Sequence, residues 1–175
     1  FEASQAVEGR GTLYMDETQA DISITTSGGN SVDVLARIEI SDLDEELTNE
    51  LFARCKVELE PHRDGLRLKV TTPRDVLRRA NRGGLNRLWR SIFRDDESHV
   101  SISTSLKITV PRTLSISVDN KYGDVEIADL TGDLSIENSS GEISIDGGGG
   151  QLDIRNSYSM VSVSDFAGPV EIRNT

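Results

Sequence analysis

Apolar and polar residues alternate in short runs through the last third of the chain, and the runs recur at a fixed step of eighteen residues. Ile116, Leu134, Leu152 and Val170 fall in one column, and Val118, Ile136, Ile154 and Ile172 in another. A second pair of columns holds Val125, Ile143 and Val161, then Ile127, Ile145 and Val163. Leu130 and Phe166 share a column, with Gly148 between them. The polar columns keep the same step: Asn120, Asn138, Asn156 and Asn174; Gly132, Gly150 and Gly168; Gly123 and Gly141, with Ser159 taking the next place. Each unit holds two apolar–polar–apolar strands, such as Leu134-Ser135-Ile136 and Ile143-Ser144-Ile145, which turn one face inward. A single unit cannot bury that face, whereas stacked units can. Equivalent strands run the same way, so the ladders are expected to be parallel and the coil right-handed. Eighteen residues at about 3.3 Å each allow a perimeter of at most roughly 60 Å, which suits a narrow solenoid with a solid core.

The run Gly147–Gly150 then reads as the corner of one coil, where positive φ and close backbone approach are needed. The repeated asparagines fit the same logic, tolerating the left-handed region and offering amides to the equivalent amides above and below. A phosphate cradle would need Gly-Lys-Ser/Thr after the glycines, and a calcium nonapeptide repeat an Asp two residues past the last one; Gln151 and Leu152 stand there instead.

Upstream, TLYM, ADISIT and SVDVLARIEI alternate as strands between residues 12 and 40, with Gly28-Gly29-Asn30 as a turn between the last two. SDLDEELTNELFARC follows. Ser41 with Asp44 resembles a capping box, and Leu43, Leu47 and Leu51 form a helical stripe, which predicts a capping helix near 42–54. KVELE and LRLKVTT read as paired strands around Pro61–Gly65, and residues 99–111 as a long strand that ends at the Pro111 corner. The expected fold is all-β: a single right-handed parallel β-helix or solenoid over 1–175, with N-terminal strands and capping helix in 1–72, a basic insert in 73–97 and regular repeats in 98–175.

The net charge of −11 disfavours generic nucleic-acid binding. Between residues 74 and 94, however, seven Arg and one Asp give a local +6 and leave −17 on the rest. There Leu85, Leu88, Trp89, Ile92 and Phe93 are spaced as one face of a helix near 84–94, with Arg87, Arg90 and Arg94 on the polar side. Such a helix suits an anionic lipid surface or a groove on a partner, or packing on the acidic body of the chain itself. The one cysteine, Cys55, excludes an intramolecular disulfide and reads as a small buried hydrophobe with no neighbouring His to activate it. His62 and His99 show no ligand spacing, and no metal or cofactor is expected. No apolar run approaches the roughly 20 residues of a membrane span. The chain opens at Phe1 without Met, so removal of something upstream is expected, and it stops at Asn174-Thr175 as a new coil begins, so further residues or a covering partner are expected there.

ITVPRTLSISVDNKYGDVEI, LTGDLSIENSSGEISI and LDIRNSYSMVSVSDFAGPVEI together resemble the bacterial putative-adhesin domains, a β-strand-repeat family related to auto-transporter adhesin heads. The resemblance is good over 99–175 and loose over 1–72, and the basic insert departs from the family's shorter connection. It implies an extracytoplasmic location, in the periplasm or at the cell surface, more than an activity, and it carries over no catalytic residue.

The function expected is a non-catalytic cell-envelope interaction module binding an envelope protein or glycan. Tyr122 and Tyr158, which share a turn column with Ser140, are candidate contacts; the outward columns hold Ser117, Ser135, Asp153 and Glu171 on one face and Glu126, Ser144 and Ser162 on another. The alternative is a membrane-linked regulator or self-assembling scaffold, touching anionic lipid or a partner through Arg87, Trp89, Arg90, Phe93 and Arg94 and self-associating through its ends. A polysaccharide-active enzyme would draw its acid and base from Asp129 and Asp133, or from Asp146 and Asp153.

Overall fold

The computed structural model describes residues 1–7, 11–83 and 100–175. The expected helix near 84–94, with Arg87, Trp89, Arg90, Phe93 and Arg94, lies outside these described residues. Among them the chain forms fourteen strands and two short helices. The regular part is β8 (Ser115–Asn120), β9 (Val125–Ala128), β10 (Leu134–Asn138), β11 (Ile143–Asp146), β12 (Leu152–Asn156), β13 (Val161–Ser164) and β14 (Val170–Asn174). Even-numbered strands pair in parallel, with Ile116 beside Leu134, Leu152 and Val170 in turn. Odd-numbered strands do likewise, with Val125 beside Ile143 and Val161. The eighteen-residue step is thus the register of two parallel ladders, one in each of two sheets.

Each sheet has seven strands and mixed directions. One is ordered β14-β12-β10-β8-β2-β6-β5 and the other β13-β11-β9-β3-β7-β4-β1. The additional strands are β1 (Glu2–Ala6), β2 (Thr12–Thr18), β3 (Asp21–Ser27), β4 (Ser31–Ser41), β5 (Lys56–His62), β6 (Gly65–Thr71) and β7 (Ser101–Pro111). β2 lies parallel between β8 and β6, and β3 parallel between β9 and β7, so β2 and β3 extend the stack by one more turn. Beyond them the direction changes: β5 with β6, β4 with β7 and β1 with β4 are antiparallel. The turn at Gly28-Gly29-Asn30 joins β3 to β4 as expected, yet the two strands are not neighbours, because β7 lies between them.

The inward faces of both sheets meet in one apolar core running from Val7 to Ile154, in which Leu13, Ile22, Ile108, Ile116, Ile136 and Ile154 are buried. On a pleated strand only alternate residues face inward, which is why Ser135 and Ser144 are exposed between buried neighbours. Stacking at one ladder spacing also explains the glycine column. A Cβ on Gly132 would lie 2.2 Å from the carbonyl oxygen of Leu114 in the coil below, closer than any real contact.

The helices correct two expectations. α1 (Glu45–Phe52) begins at Asp44, whose own carboxylate accepts from the Leu47 amide at 2.9 Å, so Ser41 does not cap it. Nor does α1 cap the end of the stack. Its Leu51 packs with Val76 and Leu77 of α2 (Pro73–Gly83) and with Ile40, Val100 and Ile102, a second small core over the ends of β4 and β7. The leucine stripe needed apolar partners, and those strand ends supply them. The end itself is closed by edge strands β1 and β5, which pack on each other. α2 carries a capping box that the sequence reading passed over: the Thr72 amide donates to Asp75, and the Asp75 amide to the Thr72 hydroxyl, with Pro73 opening the helix.

Candidate functional site

The repeated asparagines end the even-numbered strands with their side chains inward, and Asn120, Asn138 and Asn156 are buried. None occupies the left-handed region, contrary to expectation, because each still belongs to its strand. Amide-to-amide contact is also limited, to Asn120 Nδ2 donating to Asn138 Oδ1 at 3.3 Å. The amides instead bind turn carbonyls. Asn138 Nδ2 donates to Gly123 and Gly141, and Asn156 Nδ2 to Gly141 and Ser159, each at 3.2 Å. Each asparagine therefore pins the turn of its own coil to the turn of the coil before. Thr18 takes the equivalent place in β2, donating to Asn120 Oδ1 at 2.9 Å.

On this pinned column stand Tyr122, 61% exposed, and Tyr158, 89% exposed, with Ser140 between them. Exposed Met160 follows Tyr158. Two parallel ladder steps separate the tyrosine turns, about 9–10 Å along the stack. Beside Tyr122 opens a cleft of about 180 Å³ lined by Gln19, Asp21, Thr72, Arg74, Ser103 and Thr104, among others. A deeper void of about 30 Å³, near the size of one water, adjoins it and is lined in part by Asp16, Glu17 and Asp75. The cleft forms where the β2–β3 turn, the start of α2 and the start of β7 meet the Tyr122 turn. Arg74 is fixed there, donating to the carbonyl of Ile102 at 2.9 Å.

The acidic candidates each have another partner. Asp129 lies 3.9 Å from Arg112, and Asp133 accepts from the Gln151 amide at 2.9 Å. Asp146 accepts from Ser164 at 2.8 Å on one sheet, whereas Asp153 lies 3.6 Å from Arg155 on the other. Cys55 is buried, and its thiol donates to the Leu51 carbonyl at 3.3 Å. Burial, with a smaller contribution from the Asp75 charge, pushes this thiol up to about 11.

A cluster on the outer face of β2 and β6 had no counterpart in the sequence reading. The Tyr14 hydroxyl donates to Asp64 at 2.8 Å and holds that carboxyl below its ordinary range, helped by the Asp64 amide. His62 meets the Tyr14 ring edge-on at 5.1 Å, and Arg63 lies 5.7 Å from the ring centre. Arg67 donates to His62 Nε2 at 2.9 Å and lies 3.0 Å from Asp16. Because arginine only donates, Nε2 of His62 is the acceptor in this contact. The β5–β6 turn was legible as a turn, but its position opposite Tyr14 follows from the β2–β6 pairing, about fifty residues apart in sequence.

No protein-family model and no curated protein matches the chain. Among solved structures it is similar to a putative cell adhesion protein from Clostridium sporogenes, 10% identical, with 100% of this chain and 99% of that one covered and a TM-score of 0.45.

Proposed function

We propose that the protein is a non-catalytic interaction module of the cell envelope, a right-handed β-solenoid that presents the Tyr122–Tyr158 corner to a partner. The observation that carries this reading is the exposure of two tyrosines on one column of turns whose backbone is held from inside by buried asparagines. A large aromatic ring left in water on a turn whose backbone is already held leaves only the side chain to be ordered on binding, which suits a recognition surface. Parallel ladders at an eighteen-residue register support the solenoid, and the crossover preference of parallel sheets supports its right hand. The resemblance to adhesin-like domains supports an extracytoplasmic setting. The test is retention of envelope fractions on the immobilised chain. Retention by the native protein that falls by about tenfold in a Tyr122→Ala/Tyr158→Ala variant is the expected result; equal retention by both would overturn the reading.

One observation favours a second reading, contact with anionic lipid. α2 starts the basic segment at the same corner, where Arg74 lines the cleft beside Tyr122 and Arg78 and Arg79 are exposed. Co-sedimentation with anionic vesicles that is lost in high salt, and in an Arg87→Ala/Arg90→Ala/Arg94→Ala variant, is its expected signature.

A further inference from the structure

We infer that the Tyr122–Tyr158 column takes an extended polysaccharide, laid along the stacking direction of the coils. The inference rests on the interaction reading above and names the class of partner.

Two observations carry it. The first is a change of turn. In the first two coils the left-handed residue is a glycine, Gly123 at φ +118° and Gly141 at φ +131°. These values suit glycine, and a Cβ would meet a carbonyl oxygen at 2.2 and 2.1 Å. The third coil has Ser159 in that place. The left-handed conformation moves back one residue, onto Tyr158 at φ +66°. An aromatic residue is disfavoured there, and the backbone is held in it by its neighbours: Asn156 binds the Ser159 carbonyl, and the Ser159 hydroxyl accepts from the Gly141 amide at 3.3 Å. The outcome is a tyrosine more exposed than its counterpart Tyr122.

The second is spacing and company. The two tyrosine turns lie two ladder steps apart, about 9–10 Å, and the turn between them carries the small Ser140. Alternate rings of an extended β-1,4-linked sugar chain recur at a comparable distance, so two rings could rest on two tyrosines while the intervening one spans the serine. The neighbouring groups are those sugar hydroxyls bind: Ser139, Ser157, and the Gln19, Asp21, Thr72 and Ser103 that line the cleft beside Tyr122. A protein partner of standard size would instead want a continuous apolar centre, whereas here the aromatic residues are separated by polar turns.

The experiment is calorimetric titration of the whole chain with two probes, chitohexaose and cellohexaose. Binding of at least one hexasaccharide is expected, weakened about tenfold by Tyr122→Ala or Tyr158→Ala and retained by Tyr158→Phe. The matching disaccharide should bind about tenfold more weakly, because it cannot reach both turns. Ser159→Gly, which lets the third turn adopt the form of the first two, should weaken binding while the fold is kept. No binding of either hexasaccharide at millimolar concentration, or binding indifferent to both tyrosines, overturns the inference. If envelope material is nevertheless retained in a Tyr-dependent manner and released by protease, the interaction module stands and only its glycan partner falls.

Discussion

The coils after residue 115 and the strands before residue 111 share one apolar core but are specified in different ways. In the coils neighbouring strands of a sheet are near-copies eighteen residues apart, and the recurring asparagines fasten each turn to the one before. In the earlier part only β2 and β3 continue the ladders. Strands run in both directions, two helices supply a small separate core, and polar links such as Tyr14 to Asp64 occur once. The difference teaches that a repeat places its stabilising devices where backbone meets backbone, whereas the irregular half relies on individual side chains. Substitutions at backbone-contact positions should therefore do their greatest harm in the coils.

The largest expected effect is at Gly132. Alanine there would force the coil off the Leu114 carbonyl and should lower stability by about 3–5 kcal/mol, seen as a shifted urea midpoint. Gly28→Ala, in the β3–β4 turn, meets nothing within 4 Å and should leave the midpoint nearly unchanged. Equal losses at both sites would erase the contrast. A smaller effect is expected at the pinned turns. Asn138→Ala removes two bonds to part-buried turn carbonyls, each of which keeps one other asparagine donor, and should cost about 1–3 kcal/mol, whereas Asn174→Ala, at an exposed position with one bond, should cost little. The smallest effect belongs to the irregular half and to alkaline solution. Below pH 9 the Cys55 thiol is protonated whether the chain is folded or not. Between 9 and about 11 the unfolded thiol loses its proton while the buried one keeps it, so stability should fall as pH rises through that window. Cys55→Ala should flatten that part of the profile; an unchanged slope would show that other groups govern it.

The contrast also accounts for what could be read from residues alone. Column agreement at a step of eighteen revealed the ladder partners of Ile136 and the shared turn column of Tyr122 and Tyr158, because in the coils sequence distance and spatial distance are locked together. α1 is visible in its leucine stripe, but its cap is not: Asp42 adopts φ +61°, which separates Ser41 from the helix and leaves Asp44 to cap it. Strand order before residue 111 was not legible, since insertion of β7 between β3 and β4 depends on pairings far apart along the chain. α2 could have been found from Thr72-Pro73-Arg74-Asp75, a local signal obscured by the arginine pattern that follows it. At the candidate site the column was legible but the shift of the left-handed residue onto Tyr158 was not, because it follows from what Ser159 cannot do rather than from what Tyr158 prefers.

The place of β7 has a further consequence for how the chain is assembled. Leu106 follows its ladder partner Ile22 by 84 positions, and Ile116 follows Leu13 by 103, whereas each later coil needs only the eighteen residues just made. Contact order is therefore high at the start of the chain and low at its end. A nascent chain emerging from its N-terminus could pair β2 with β6 once residue 71 had been made, but β2 would wait for β8, and β3 for β7 and β9, until residue 128 had been delivered, after which the remaining coils could close one upon another like a zip.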